Sequence, residues 1–194
     1  VATADGMIRI YDHPTLKRRH EINILTMTIH DLEFSPDSRL LAYTGNDKPG
    51  NAQAGGGAYL YDLETKREIR SLARDQDQPA TGYGYSMTFL PGGEKLMTLD
   101  IGGTAYLWET TTGTLQYRVS TGGSLLRVTS DGEAFVTVDH YGRIRYWRTS
   151  DGQETDPPSG SGDPGARLPK ITAVALPADG STALTTTSAG EIHT

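Results

Sequence analysis

The side chains that could support catalysis or metal binding are scattered along this chain and do not form recognisable motifs. Its histidines include no pair spaced as His-x-His or four residues apart, the spacings that bring two imidazoles to one metal ion. The chain contains no cysteine, which excludes thiolate ligands, thiol nucleophiles and disulfides. Asp75 and Asp77 stand close together, but within a loop-like segment, where solvated charges are the simplest interpretation. We therefore predict no catalytic residue, no metal and no cofactor. The histidines are His13, His20, His30, His140 and His193.

The glycine-rich segments also lack the spacing that chemistry needs. Residues 159–162, Ser-Gly-Ser-Gly, do not form the Gly-x-Ser-x-Gly elbow of a nucleophilic serine, and we interpret them as a linker. Residues 82–85, Gly-Tyr-Gly-Tyr, are too short for the phosphate-binding loop of a dinucleotide site. These segments indicate turns and loops.

Composition limits the classes of partner. The net charge is −6, which argues against nucleic acid or an anionic membrane as the default partner. No apolar run reaches the roughly 20 residues of a membrane-spanning helix. The absence of cysteine suits a reducing compartment, so we predict a cytoplasmic location.

A repeated pattern of strands and turns organises the whole chain. A turn phrase built on Pro or Asp-Gly precedes a nearly continuous apolar strand, and a later strand ends in an aromatic residue. The phrases recur at intervals of about 40 to 55 residues, and within each unit the apolar residues alternate as half-buried strands require. The sequence therefore predicts an all-β repeat domain with four antiparallel strands per unit. The turn phrases are 34–37, 90–93, 129–132 and 177–180, and the aromatics are Tyr11, Tyr61, Trp108 and Trp147.

Position within the unit also predicts burial. The near-continuous apolar second strands, such as 95–99, should lie deep in a stack of sheets and be covered on both faces. Phe34, Phe89, Trp108 and Trp147 should belong to the core. The fourth strand of the unit around Trp147 should be short or missing, because a low-complexity segment, 152–167, takes its place.

These phrases resemble the repeats of WD40 β-propellers. Residues 5–12, Asp-Gly-Met-Ile-Arg-Ile-Tyr-Asp, and 34–42 are similar to the family pattern, and the likeness extends over the chain. The Trp-Asp pair is degenerate in every unit, as in Tyr11-Asp12 and Trp147-Arg148, and the Gly-His pair is absent. The resemblance implies a bacterial-type propeller with units at 1–25, 26–73, 84–119, 123–168 and 170–194, the first and last being parts of one blade.

The missing histidine has a consequence for the turn carboxylates. In the family, that histidine joins a buried hydrogen-bond network with the turn aspartate and the strand tryptophan. We expect Asp5, Asp100 and Asp139 to accept hydrogen bonds from backbone N–H groups of their own turns instead.

About four blades are fewer than the seven or eight usual in this family, so the ring must be completed in some way. Three arrangements complete it: the segment is part of a larger seven- or eight-bladed ring, it is half of a ring completed by a second copy, or it is a four-bladed ring closed on itself. The first of these is our expectation, and an open array would leave strand edges exposed.

The resemblance implies a non-catalytic platform or sensor for protein–protein interaction within a larger regulatory protein. The alternatives are a self-assembling half-propeller and a propeller enzyme acting on a sugar or peptide. Tyr and Arg are favoured at binding hot spots, so the loops at one end of the sheets are the predicted contact surface. For Tyr83 and Tyr85, packing inside the loop or channel is the competing interpretation. The predicted partner-binding residues are Asp47, Lys48, Tyr83, Tyr85, Asp100, His140 and Tyr141.

Overall fold

A computed structural model describes residues 2–3, 6–24, 27–47, 57–72, 84–156, 171–175, 184–187 and 192–193. Within these ranges every regular element is a β-strand, and all strand pairs are antiparallel. None of the described residues forms a helix that could cross a membrane. The all-β prediction is confirmed.

The eighteen strands that the structure describes form five sheets in which consecutive strands are neighbours. Of these described strands, sheet 1 (β1–β3) and sheet 5 (β16–β18) have three each, whereas sheets 2 (β4–β7), 3 (β8–β11) and 4 (β12–β15) have four each. The strands are β1 (Ala2–Thr3), β2 (Met7–Tyr11), β3 (Arg18–Asn23), β4 (Met27–Phe34), β5 (Leu40–Asp47), β6 (Gly57–Asp62), β7 (Arg67–Ser71), β8 (Gly84–Phe89), β9 (Lys95–Asp100), β10 (Thr104–Glu109), β11 (Leu115–Ser120), β12 (Leu125–Val128), β13 (Ala134–Val138), β14 (Ile144–Arg148), β15 (Glu154–Thr155), β16 (Ile171–Ala175), β17 (Leu184–Thr187) and β18 (Ile192–His193).

Neighbouring sheets meet through their first strands and their faces. Strand β4 contacts β8, β8 contacts β12, and β12 contacts β16. Apolar side chains fill the spaces between sheets 1 and 2, sheets 2 and 3, and sheets 3 and 4. The second strands β9 and β13 are almost wholly buried, as their continuous apolar sequences predicted. Burial on both faces explains why period-two alternation disappears in these strands.

The turns between first and second strands repeat the same hydrogen bonds. In sheet 2, Ser35 Oγ donates to Asp37 Oδ1 at 2.5 Å and accepts from the Leu40 N–H at 2.8 Å. In sheet 4, Thr129 Oγ1 donates to Asp131 Oδ1 at 2.6 Å and accepts from the Ala134 N–H at 3.1 Å. The hydroxyl donors lower the pKa of both turn carboxylates. The sequence phrase Ser/Thr-x-Asp therefore specifies a turn by local chemistry.

Long side chains on fourth strands join each sheet to the next. Arg70 Nη2 donates to the Thr111 carbonyl oxygen at 2.7 Å, and Tyr117 Oη donates to the Thr149 carbonyl oxygen at 2.8 Å. Burial, and then the nearby charge of Asp151, raise the pKa of Tyr117 to about 12. Both long side chains therefore connect adjacent sheets at the same position in the repeat.

Each of these two side chains packs against a turn of the next sheet, and the contact requires glycine in that turn. A Cβ at Gly113 would lie 2.8 Å from Cδ of Arg70, and one at Gly152 would lie 2.7 Å from Cε2 of Tyr117. Both glycines have φ near +70°, a region that disfavours other residues. In sheet 2 the corresponding turn residue is Lys66, and there the junction with sheet 1 uses a hydrogen bond between His20 Nε2 and Tyr61 Oη at 2.9 Å.

Tryptophans of the third strands bond to the second strands. Trp108 Nε1 donates to Thr98 Oγ1 at 2.9 Å, and Trp147 Nε1 donates to Thr137 Oγ1 at 2.8 Å. Both indoles are buried, as predicted, and so is Phe89. Each indole N–H is thus satisfied within its own sheet.

One sequence prediction, the burial of Phe34, is wrong, and the prediction of a short fourth strand is confirmed. Phe34 is 48% exposed, whereas Phe89 at the same position in sheet 3 is 6% exposed because it packs on sheet 2. Phe34 does not belong to the apolar cluster of described residues between sheets 1 and 2. The described strands near the two ends of the chain belong to sheets 1 and 5, and the assignment of both ends to one blade stays a prediction. Strand β15 has two residues, so the prediction of a short fourth strand is confirmed.

Candidate functional site

Two turns and one connecting segment form a continuous surface at one end of sheets 3 and 4. The turns are residues 100–104, between β9 and β10, and residues 139–143, between β13 and β14. The connecting segment, residues 121–124, runs from β11 to β12. We call these three segments the turn platform.

Backbone hydrogen bonds hold the platform together. The N–H groups of Thr121 and Gly122 donate to the Gly103 carbonyl oxygen at 2.8 and 3.0 Å, and the Ser124 N–H donates to the Val138 carbonyl oxygen at 2.7 Å. The segment therefore connects the end of sheet 3 to the end of sheet 4. Its approach to the first turn is very close, since a Cβ at Gly103 would lie 2.8 Å from backbone atoms of Gly122. Glycine at position 103 permits this close approach, and the hydrogen bonds hold the backbone in place.

The turn carboxylates act within the platform. Asp100 Oδ1 accepts the Thr104 N–H at 2.8 Å, and its Oδ2 accepts the Tyr106 hydroxyl at 2.9 Å. Asp139 Oδ1 accepts the N–H groups of Tyr141 and Arg143 at 2.8 and 2.9 Å. The prediction that turn N–H groups would satisfy these carboxylates is confirmed for both. Asp5 lies outside the described residues.

Large side chains project from the platform into solvent. Tyr141 is 75% exposed and Ile101 is 59% exposed. His140 and Arg143 are also exposed, and neither side chain has a hydrogen-bond partner among the residues that the structure describes. Apolar groups stand here beside free hydrogen-bond donors, a combination that favours contact with another macromolecule.

The predicted partner-binding residues fall into three groups. His140 and Tyr141 lie together on the platform surface, but Asp100 lies beneath it at 6% exposure, with its carboxylate used inside the turn. Asp47 ends β5 and Tyr85 lies in β8, where only their backbones are described. The predictions for Lys48 and Tyr83 lie outside the described residues.

Sequence reasoning missed Ile101 and Arg143. Both belong to turns whose aspartates were identified, and Ile101 directly follows Asp100. A signal was present, because an apolar residue within an Asp-x-Gly turn cannot pack in the core when the turn is tight. Arg143 carried no such signal, since only the structure shows that its guanidinium group has no acceptor among the described residues.

The first strands carry a second polar cluster, which joins sheets. Asp31 Oδ2 accepts the Met87 N–H at 3.0 Å, and Glu33 Oε1 accepts the Phe89 N–H at 3.2 Å. Burial raises the pKa of Glu33, and the charge of Asp31 adds to this. Both carboxylates thus cover backbone donors on β8, which gives them a structural role.

A groove of about 370 Å³ lies between sheets 2 and 3 at the opposite end of the strands. Arg39 and Arg70 both line it, but each already has an acceptor. Arg39 Nη2 lies 3.3 Å from Oδ2 of the buried Asp62, and Arg70 bonds to the Thr111 carbonyl oxygen. Backbone N–H groups, that of Thr65 above all, lower the pKa of Asp62. The charged groups in this groove therefore stabilise the junction of the sheets.

Among the described residues, no group of three or more His, Asp or Glu side chains could hold a metal ion. Comparison of the chain with models of known protein families and with curated proteins finds no match.

Proposed function

We propose that this chain is a segment of a WD40-like β-propeller and serves as a non-catalytic platform for protein–protein interaction. The repeat pattern of the sequence suggests the blades, and two features of the sheets support the proposal. Each four-stranded sheet is a simple antiparallel meander, and the first strands β4, β8, β12 and β16 contact one another in succession. A fan of sheets around their first strands would produce such contacts.

The turn platform is the single observation that favours interaction over catalysis. It exposes Tyr141 and Ile101 on a backbone fixed by hydrogen bonds between two sheets. A rigid surface loses little conformational entropy when a partner binds, and exposed tyrosine contributes a large contact area with few torsions to order. The platform is therefore the proposed contact surface.

Selection of short random peptides displayed on phage tests this proposal. The wild-type protein is compared with the double variant Ile101→Ser, Tyr141→Ser, in which only solvent-exposed side chains change. Leu16→Ser is the matched control, because Leu16 is also an exposed apolar turn residue, at 73%, but lies in the β2–β3 turn of sheet 1.

We expect enriched peptides to bind wild type and Leu16→Ser alike. Loss of two exposed anchors should weaken their binding to the double variant by about tenfold or more, equivalent to roughly 1.4 kcal/mol. Peptides that bind all three proteins equally, or no enrichment at all, would exclude the platform as the interaction site.

The exposure of Phe34 favours a second candidate function, self-association. Phe34 lies on β4, whose equivalents in sheets 3 and 4 are covered by the preceding sheet. A second copy could cover this surface. Replacement of Phe34 by Ser should then reduce the molar mass measured by light scattering at high protein concentration. A concentration-independent monomer before the replacement would exclude this candidate.

A further inference from the structure

The charged and apolar groups of the turn platform restrict the chemical class of partner that it can bind. The Asp139 carboxylate accepts two N–H groups of its own turn, and the Asp100 carboxylate accepts the Thr104 N–H of its turn and the Tyr106 hydroxyl of β10. The Arg143 side chain is exposed and has no acceptor in the described part of the chain. The Arg143 guanidinium is thus an exposed donor that the described residues leave unused, whereas both oxygens of the Asp100 carboxylate are bonded inside the fold.

Arg143 stands two residues after Tyr141 in the same tight turn. The Asp139 carboxylate binds the backbone N–H groups of both residues, so the turn fixes the backbone from which both side chains project. A guanidinium group presents two parallel N–H donors that match a carboxylate, and an adjacent tyrosine ring offers a face for an apolar side chain. The turn is therefore suited to a carboxylate and an apolar group close together.

A second arginine strengthens the same preference. Arg145 lies in β14, two residues after Arg143, and its Nη1 lies 3.4 Å from the Thr121 carbonyl oxygen of the platform. Its contact with Glu154 is long, at 3.8 Å, and Glu154 is exposed. Glu154 thus compensates the positive charge of Arg145 only weakly.

We infer that the partner of the turn platform is an acidic peptide segment with an apolar side chain next to a carboxylate. In this arrangement the carboxylate binds Arg143 and the apolar side chain covers Tyr141 and Ile101. The inference rests on the proposed interaction function and specifies the partner that the same surface binds. The platform favours an acidic segment although the whole chain has a net charge of −6, because the donor groups on the platform determine its preference.

The composition of the selected peptides provides the first test. Among phage-displayed peptides whose enrichment depends on Ile101 and Tyr141, we expect an excess of Asp and Glu next to an aromatic or branched apolar residue. Platform-dependent peptides without an acidic excess would overturn this inference and leave the interaction function in place. If no platform-dependent peptide is enriched, the interaction function itself fails.

The second test measures binding of one selected peptide by fluorescence anisotropy. Substitution of its Asp and Glu by Asn and Gln should weaken binding by about tenfold, and Arg143→Gln should weaken binding of the original peptide to a similar extent. The neutralised peptide should bind wild type and Arg143→Gln equally. Arg148→Gln, at the other end of β14, is the control and should leave the dissociation constant unchanged. An unchanged affinity in Arg143→Gln would refute the inference.

Discussion

Replacement of Thr98 by Val should destabilise the fold, whereas the same replacement at Thr44 should stabilise it. Thr98 Oγ1 accepts the hydrogen bond from Trp108 Nε1 at 2.9 Å, and both side chains are buried. Val has nearly the same shape but no acceptor, so the indole N–H would be left buried without a partner. Such a loss costs about 1–3 kcal/mol of the free energy of unfolding.

Thr44 presents the opposite situation in sheet 2. Its hydroxyl is fully buried and has no hydrogen-bond partner among the described residues. Thr44 is the third residue after Leu41, which pairs with the last residue of β4. In sheet 4, Val138 is the third residue after Phe135, which pairs with the last residue of β12. The two positions are therefore equivalent, and sheet 4 has valine there. Removal of an unpaired hydroxyl should therefore raise the free energy of unfolding by about 1 kcal/mol. The two variants should differ by roughly 2 kcal/mol or more.

Urea unfolding followed by circular dichroism and tryptophan fluorescence measures both values. Thr137→Val provides a replicate, because Trp147 Nε1 bonds to Thr137 Oγ1 at 2.8 Å. It should be destabilised to an extent similar to Thr98→Val. If Thr44→Val and Thr98→Val shift the midpoint in the same direction with unchanged m-values, the argument from hydrogen-bond satisfaction fails.

Two further variants test the inter-sheet contacts. Gly113→Ala should lower the free energy of unfolding more than Gly122→Ala, by about 1–3 kcal/mol. Both have positive φ, but only a Cβ at Gly113 meets Arg70, and equal losses in urea unfolding would contradict this. Glu33→Gln should reduce the pH dependence of stability. Because burial raises the folded-state pKa of Glu33 above its ordinary value of 4.5, wild type loses stability as pH rises from that value through the raised pKa. Identical pH profiles for wild type and variant would exclude this.

Local chemistry explains which parts of the fold could be predicted. The turn at Ser35 and Asp37 forms from hydrogen bonds between residues two to five apart, so its sequence specifies it. The continuous apolar sequence of β9 likewise predicts burial on both faces, since any exposed face would require polar residues. The strands, their order within sheets and most core residues follow from such signals.

The burial of a side chain that faces a neighbouring sheet could not be predicted from the sequence. Phe34 and Phe89 stand at equivalent places in the repeat, yet one is half exposed and the other buried. Asp100 belongs to a surface turn but points its carboxylate at Thr104 and Tyr106. Neither difference is visible in the sequence, because burial depends on what packs against a position and not on the residue type at that position.

The amino-acid sequence alone determined that this chain is a series of antiparallel strands joined by tight turns, because turn bonds and alternating apolar residues act over a few positions. Only the tertiary structure decided that Ile101, Tyr141 and Arg143 lie on one surface. These residues come from turns of two different sheets. The contact of Gly103 with Gly122, in the segment that connects β11 to β12, links the turn of sheet 3 to the beginning of sheet 4.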